Sequence, residues 1–276
     1  MKLKNIKSRT KQVGFTLIEL MISLALGAIV ISGLISVYVA TVVSSYDTIA
    51  MSKLSQQTTA LVNIMTSDIR RAGYWGNASI DIDRSPAVNP FSNTDSSILN
   101  GITALGLLDS IAGDKVIPGN TATTGQCLAY TYDVDEDGIL DNEDIVGFRL
   151  NGTVAQMRRI GTAAGTTTKI SCTNGTWEDI TDGDVISVDT LTFSLENSVC
   201  INTREPNDID DDGSAGTDDT AEMNCYDINQ EPDSGDITTE TLQITINITA
   251  SLVSDSDVKM NMSQVVRVRN DRVREW

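Results

Sequence analysis

The longest pattern in the chain is apolar. From residue 20 to residue 43 no side chain carries a charge, and Glu19 stands at the entrance to that run. These 24 residues reach about 36 Å as a helix at roughly 1.5 Å per residue, enough to cross a hydrocarbon core of about 30 Å. Beyond Val43 the pattern turns amphipathic: Leu54, Leu61, Met65 and Ile69 recur at helical spacing, with Gln56, Gln57, Thr58, Asn63 and Asp68 between them. One helix is therefore predicted from Phe15 to about residue 71. Its first part sits in lipid and its second part lays an apolar stripe on a head domain. Gly73 is the expected C-cap, and Tyr74-Trp75-Gly76 ends the element.

Residues 77–125 are polar and contain Pro86, Pro90 and Pro118, so they read as loops, with a short helix near 98–111. Runs with period two or rich in β-branched residues follow at 127–132, 145–150, 153–158, 185–195, 242–252 and 265–268. Closely spaced strands of this kind predict an antiparallel sheet. The expected architecture is α+β: a long N-terminal helix packed on one β-rich head covering residues 74–276.

Charge adds direction. The chain holds 20 basic and 38 acidic side chains, a net charge of −18, and no histidine. Nucleic acid is disfavoured as a direct partner, because phosphate binding relies on clustered Lys and Arg. Histidine-based mechanisms are excluded outright. Residues 1–14 contain Lys2, Lys4, Lys7, Arg9 and Lys11 and no acid, so the remainder carries −23. The positive-inside rule places this leader in the cytoplasm and the acidic head across the membrane. A secretory signal peptide would have a shorter apolar region and a small-residue cut, which Ala25-Leu26-Gly27 or Ser32-Gly33 imitates. Four arginines near the carboxyl end, Arg267, Arg269, Arg272 and Arg274, read as a solvated strand face or as a surface for an acidic neighbour.

The sharpest chemistry is in residues 133–144. Asp133, Asp135, Asp137, Asp141 and Asp144 occupy positions 1, 3, 5, 9 and 12 of a loop with Gly138 at 6, Leu140 at 8 and the Ile139 carbonyl at 7. Alternate side chains of such a loop point into one concavity and glycine permits its sharp turn, the arrangement of an EF-hand-like calcium loop. Aspartate at position 12 departs from the usual glutamate, and strands lead in and out where helices would be expected. A second loop, 208–219, offers Asp208, Asp210, Asp212, the Ser214 carbonyl and Asp219, with Gly213 at position 6. One or two Ca²⁺ ions are the predicted cofactor, since hard oxygen donors without histidine do not suit zinc or copper. Acids clustered in this spacing do not resemble a separated catalytic pair, so no enzymatic activity is predicted.

Cys127, Cys172, Cys200 and Cys225 all fall in the predicted extracytoplasmic head and none forms a CxxC pair. Four cysteines allow three connectivities. The preferred one joins Cys127 to Cys172 and Cys200 to Cys225, because the second bridge staples the loop around 208–219.

A basic leader followed by Gly14-Phe15-Thr16-Leu17-Ile18-Glu19 resembles the type III signal of type IV prepilins. The resemblance implies a cut after Gly14 by the membrane prepilin peptidase, and methylation of Phe15 as the new amino terminus. It also implies that Glu19, an acid costly to leave in hydrocarbon, pairs with the terminal amine of a neighbouring subunit during assembly. The family's mid-membrane proline has no counterpart, Ser36 standing near its place. Within the superfamily, residues 68–76, 146–150, 156–159 and 266–270 resemble PilW-type minor pilins. That likeness implies an inner-membrane protein, N-in with a periplasmic head, that moves into a pilus fibre. Its implied partners are other minor and major pilins and the assembly platform. Two alternatives stay open: a minor pseudopilin of a type II secretion system, and a calcium-dependent adhesin on a pilin stalk.

Overall fold

A computed structural model of the chain describes residues 14–76, 89–92, 105–108, 124–159, 172, 175–203, 223–225 and 236–275. The leader 1–13 and the second aspartate loop, 208–219, lie outside the described residues.

The first element is the predicted helix, α1 (Leu17–Ile69), 53 residues or about 80 Å long. It is long and apolar enough to cross a membrane, and none of its most apolar stretch is buried. Hydroxyls along that stretch bond back to their own helix: Ser23 to the Glu19 carbonyl, Ser36 to Ser32, Thr41 to Val37 and Ser45 to Thr41. Each of these four hydroxyls is thereby satisfied within the helix, as a segment out of reach of water requires.

Residues from Met51 onward form a unit of their own. Leu54, Leu61, Met65 and Ile69 are all buried there, as their spacing predicts. The last turn tightens, with Arg71 N–H donating to Asp68 O and Ala72 N–H to Ile69 O. Gly73 then takes a φ of 71°, the left-handed cap that glycine adopts without a Cβ clash.

Twelve described strands, all paired antiparallel, make three sheets. The first runs β1 (Gly106–Leu108), β3 (Cys127–Thr131), β4 (Ile145–Asn151), β5 (Val154–Arg159) and β6 (Thr176–Asp179). The second runs β11 (Asp255–Arg267), β10 (Gln243–Leu252), β7 (Ile186–Ser194) and β2 (Thr124–Gly125). The third is β12 (Arg272–Glu275), β9 (Ile237–Thr241) and β8 (Val199–Asn202). One core joins the stripe of α1 to Leu128 and Tyr130 of β3, Phe148 of β4, Phe193 of β7 and Ile244, Ile246 and Ile248 of β10. Inward positions on β7 jump from Val188 to Leu191 because Asp189 bulges out, opposite the register shift between Thr249 and Ala250 of β10.

Several expectations are corrected. The short helix near 98–111 does not hold where it is described: residues 106–108 are β1, hydrogen-bonded to β3. The strand expected at 265–268 is the end of a 13-residue edge strand whose polar sequence hides it. Asp68 and Thr58, read as polar-face residues, are buried. Asp68 has a reason: its carboxylate accepts the hydroxyls of Tyr130 at 2.5 Å and Tyr132 at 3.0 Å and pairs with Arg71. Arg71 also covers the Tyr132 ring at 4.6 Å. Burial first, then the Asp68 charge, raises the titration of both tyrosines, so they stay protonated donors.

The third sheet is inverted. Cys200, Asn202, Thr238 and Glu240 face inward, while Val199, Ile201, Ile237 and Val273 face solvent. Arg272 belongs to this buried face, paired with Glu240, and so departs from the solvated arginine strip. Arg267 does remain at the surface, bonded to Asp271 at 3.1 Å.

Candidate functional site

Two places hold the residues singled out in the sequence. At the start of α1, Gly14 and Phe15 precede the helix, and Phe15 is 88% exposed. Thr16 is the N-cap: Glu19 N–H reaches its hydroxyl at 3.3 Å, while Glu19 Oε2 accepts the Thr16 N–H at 2.9 Å and its hydroxyl at 2.8 Å. This is a reciprocal capping box. The spacing Thr16-x-x-Glu19 signals it, a reading that attention to Glu19 as an assembly residue passes over.

The second place is the hairpin tip between β3 and β4. Tyr132 N–H still pairs with Asp144 O at 3.2 Å, so the strands close the base of the 133–144 loop. Within it, three aspartates accept a backbone N–H two residues on: Asp135 from Asp137, Asp137 from Ile139 at 2.7 Å and Asp141 from Glu143 at 2.8 Å. These turns bend the chain around its acids. Gly138, at φ 78°, supplies the sharp corner, and Glu136 is left-handed too, at φ 64°.

Asp133, Asp135 and Asp137 bring one carboxylate oxygen each to within 4.8 Å of one another, an acidic triad able to hold a metal ion. Asp133 is buried; Asp135 and Asp137 are exposed. Asp133 Oδ2 accepts N–H groups from Gly76 at 2.9 Å and Gly138 at 3.0 Å, while its Oδ1 is buried with no hydrogen-bond partner. Asp133 thus brings to the triad a carboxylate with one buried oxygen still unpaired, which fits a cation. Asp141 and Asp144 are not part of this triad. Asp144 clasps the loop ends, accepting from Val134 N–H and Asp141 N–H, each at 2.9 Å. Burial, only partly offset by these N–H groups, raises its pKa to about 6. The Ile139 side chain is exposed.

Residues distant in sequence complete the setting. The Trp75 indole N–H donates to Gly138 O at 3.3 Å. The buried Arg158 guanidinium holds the carbonyls of Asn142 and Ile145, and burial lowers its pKa. In sequence Trp75 and Gly76 read as a helix stop and, like Arg158, as part of the PilW-type likeness; nothing there ties any of the three to the aspartate loop.

Both disulfides are present, Cys127–Cys172 and Cys200–Cys225, with Cα separations of 6.4 and 5.3 Å. The first fixes Cys172, whose carbonyl accepts Arg149 at 2.7 Å. The second bridge encloses the second aspartate loop in sequence; Asp208, Asp210, Asp212, Ser214 and Asp219 lie outside the described residues.

Residues 9–35 match the prokaryotic N-terminal methylation motif, which takes in Gly14, Phe15 and Glu19. No curated protein and no solved structure matches the chain. Residues 47–268, well over half the chain, match the family described as prepilin peptidase-dependent protein B. The chain belongs to that family: it is a pilin-like protein, processed by prepilin peptidase.

Proposed function

We propose that the chain is a minor pilin of the PilW type, held in the inner membrane with its head in the periplasm and then drawn into a type IV pilus whose assembly it helps to prime. The carrying observation is the methylation motif joined without a break to a 53-residue helix, bare over its apolar part and built into the core from Leu54 onward. The cut falls after Gly14 and Phe15 becomes N-methylated. Glu19 then trades its cap on Thr16 for the amine of a neighbouring subunit. The role is structural, with other minor and major pilins and the assembly platform as partners.

In the same reading the head carries calcium. Asp133, Asp135 and Asp137 form the core of the site, to which the Ile139 carbonyl, Asp141 and Asp144 add ligands as the loop closes. Asp144 can serve while keeping both N–H partners, because each of its oxygens accepts only one of them and retains a second lone pair. The second loop, 208–219, is the place for another ion. Affinities of about 10⁻⁴ to 10⁻³ M, ordinary for extracellular modules, suffice.

Amino-terminal sequencing and mass measurement of the mature chain test the processing: it should begin at methylated Phe15. A mature chain that begins beyond Val43 refutes the proposal. Deleting the gene should remove fibres. Loss of secretion with fibres intact would make the protein a pseudopilin of a type II system instead. Calorimetric titration of the calcium-stripped protein tests the ion, and absence of heat at millimolar calcium would remove it.

A further inference from the structure

The two oxygens of Asp133 differ. Oδ2 is satisfied by Gly76 N–H and Gly138 N–H, and Oδ1 is buried with no hydrogen-bond partner. Only one of those two donors belongs to the loop. The other belongs to the turn that leaves α1, and more of that turn is fastened to the same place. Gly73 N–H donates to Thr131 O at 2.8 Å, Asp133 N–H donates to Tyr74 O at 2.9 Å, and the Trp75 indole holds Gly138 O. The chain from 73 to 76 therefore runs beside the loop entrance. Gly76 allows the approach: a Cβ there would lie 3.0 Å from Asp133 Oδ2 and 3.2 Å from the Glu136 Cα.

We infer that the helix-exit turn 74–76 is an integral wall of the cation site, with Gly76 a positioning residue for Asp133 and Trp75 a tether on Gly138. This rests on the calcium reading given above. Three carboxylates so close repel one another without a counter-ion, which works against the bends that place Gly138 under Trp75. A divalent cation removes that repulsion, so the loop and the exit turn order together. By linkage the effect is reciprocal: whatever loosens the turn weakens the ion, and the ion stiffens the turn that joins helix to head.

The test uses the full chain in detergent micelles with calcium and, as a luminescent substitute, terbium. Emission excited through tryptophan reports a donor close to the ion, and the chain has three tryptophans. Trp75→Phe should abolish most of the sensitised emission, Trp177→Phe should keep it, and calcium should quench it by displacement. By calorimetry below each variant's melting onset, Gly76→Ala should weaken calcium about tenfold or more through the displaced Asp133, and Trp75→Phe about threefold. Full emission from Trp75→Phe, or wild-type affinity in Gly76→Ala, overturns the inference while leaving the calcium site standing. If Gly76→Ala fails to fold, the Trp75→Phe emission decides alone. A wild type that gives neither heat with calcium nor emission with terbium overturns the calcium reading itself, and this inference with it.

Discussion

Replacing Asp68 should be among the most damaging single changes in the head. An acid one residue from the end of α1 opposes the helix dipole, so its presence points to a tertiary task. That task is to accept two tyrosine hydroxyls from β3 and its extension, one of them in a fully buried ring. A hydrogen bond to a charged acceptor contributes about 1.5–3 kcal/mol. Arg71 is half exposed and adds at most about 1 kcal/mol. Asp68→Ala strands both hydroxyls and should cost about 4–5 kcal/mol, in the far tail of single substitutions. Tyr130→Phe should cost about 2 kcal/mol and couple to Asp68→Ala by more than about 1 kcal/mol in a double-mutant cycle. Urea unfolding of the full chain in micelles, followed by near-ultraviolet circular dichroism, measures all three. A loss below about 1 kcal/mol for Asp68→Ala, or a cycle that closes without coupling, would show that the network does not fasten helix to sheet.

Breaking the 25-residue loop with Cys200→Ser should cost about 3.5 kcal/mol, seen as a lower melting midpoint that reducing agent no longer shifts at this bridge. Asp144, with its pKa raised to about 6, favours the protonated form in the folded head; without calcium its contribution to stability is full below about pH 4 and is lost as pH rises through 6. Asp144→Asn should flatten that part of the profile in thermal melts, and calcium affinity in the wild type should rise over the same window as the proton leaves. Thr16→Ala removes the helix cap at a cost of about 1 kcal/mol, readable as faster amide exchange in the first turn of α1.

The long helix was legible because its two halves carry two plain patterns, an unbroken apolar run and then apolar residues four or seven apart. Strands β7 and β10 were legible because the alternation of their side chains largely matches their burial, and β3 and β4 because they are short, mainly apolar runs that are buried over all or most of their length. The third sheet was not: β8 and β9 turn Cys200 and Glu240 inward and Val199 and Ile237 outward, so a hydrophobicity pattern points to the wrong face. Edge strand β11 alternates weakly because both its faces are largely open. The aspartate loop was visible in its spacing, since the bend and the acids are local. Its dependence on Gly76, Trp75 and Arg158 was not, because those contacts span 57, 63 and 16 residues.

Because Ser23, Ser36, Thr41 and Ser45 spend their protons on their own helix, the described flank of the rod has no sticky side at these positions. On the function proposed above, leaving a lipid bed for a bundle of like rods would break no lateral bond at these positions, and such a shaft could turn or slip a notch without penalty from these groups. Discrimination between neighbours would then be left to the ends: the acid near the tip of the rod, and the head.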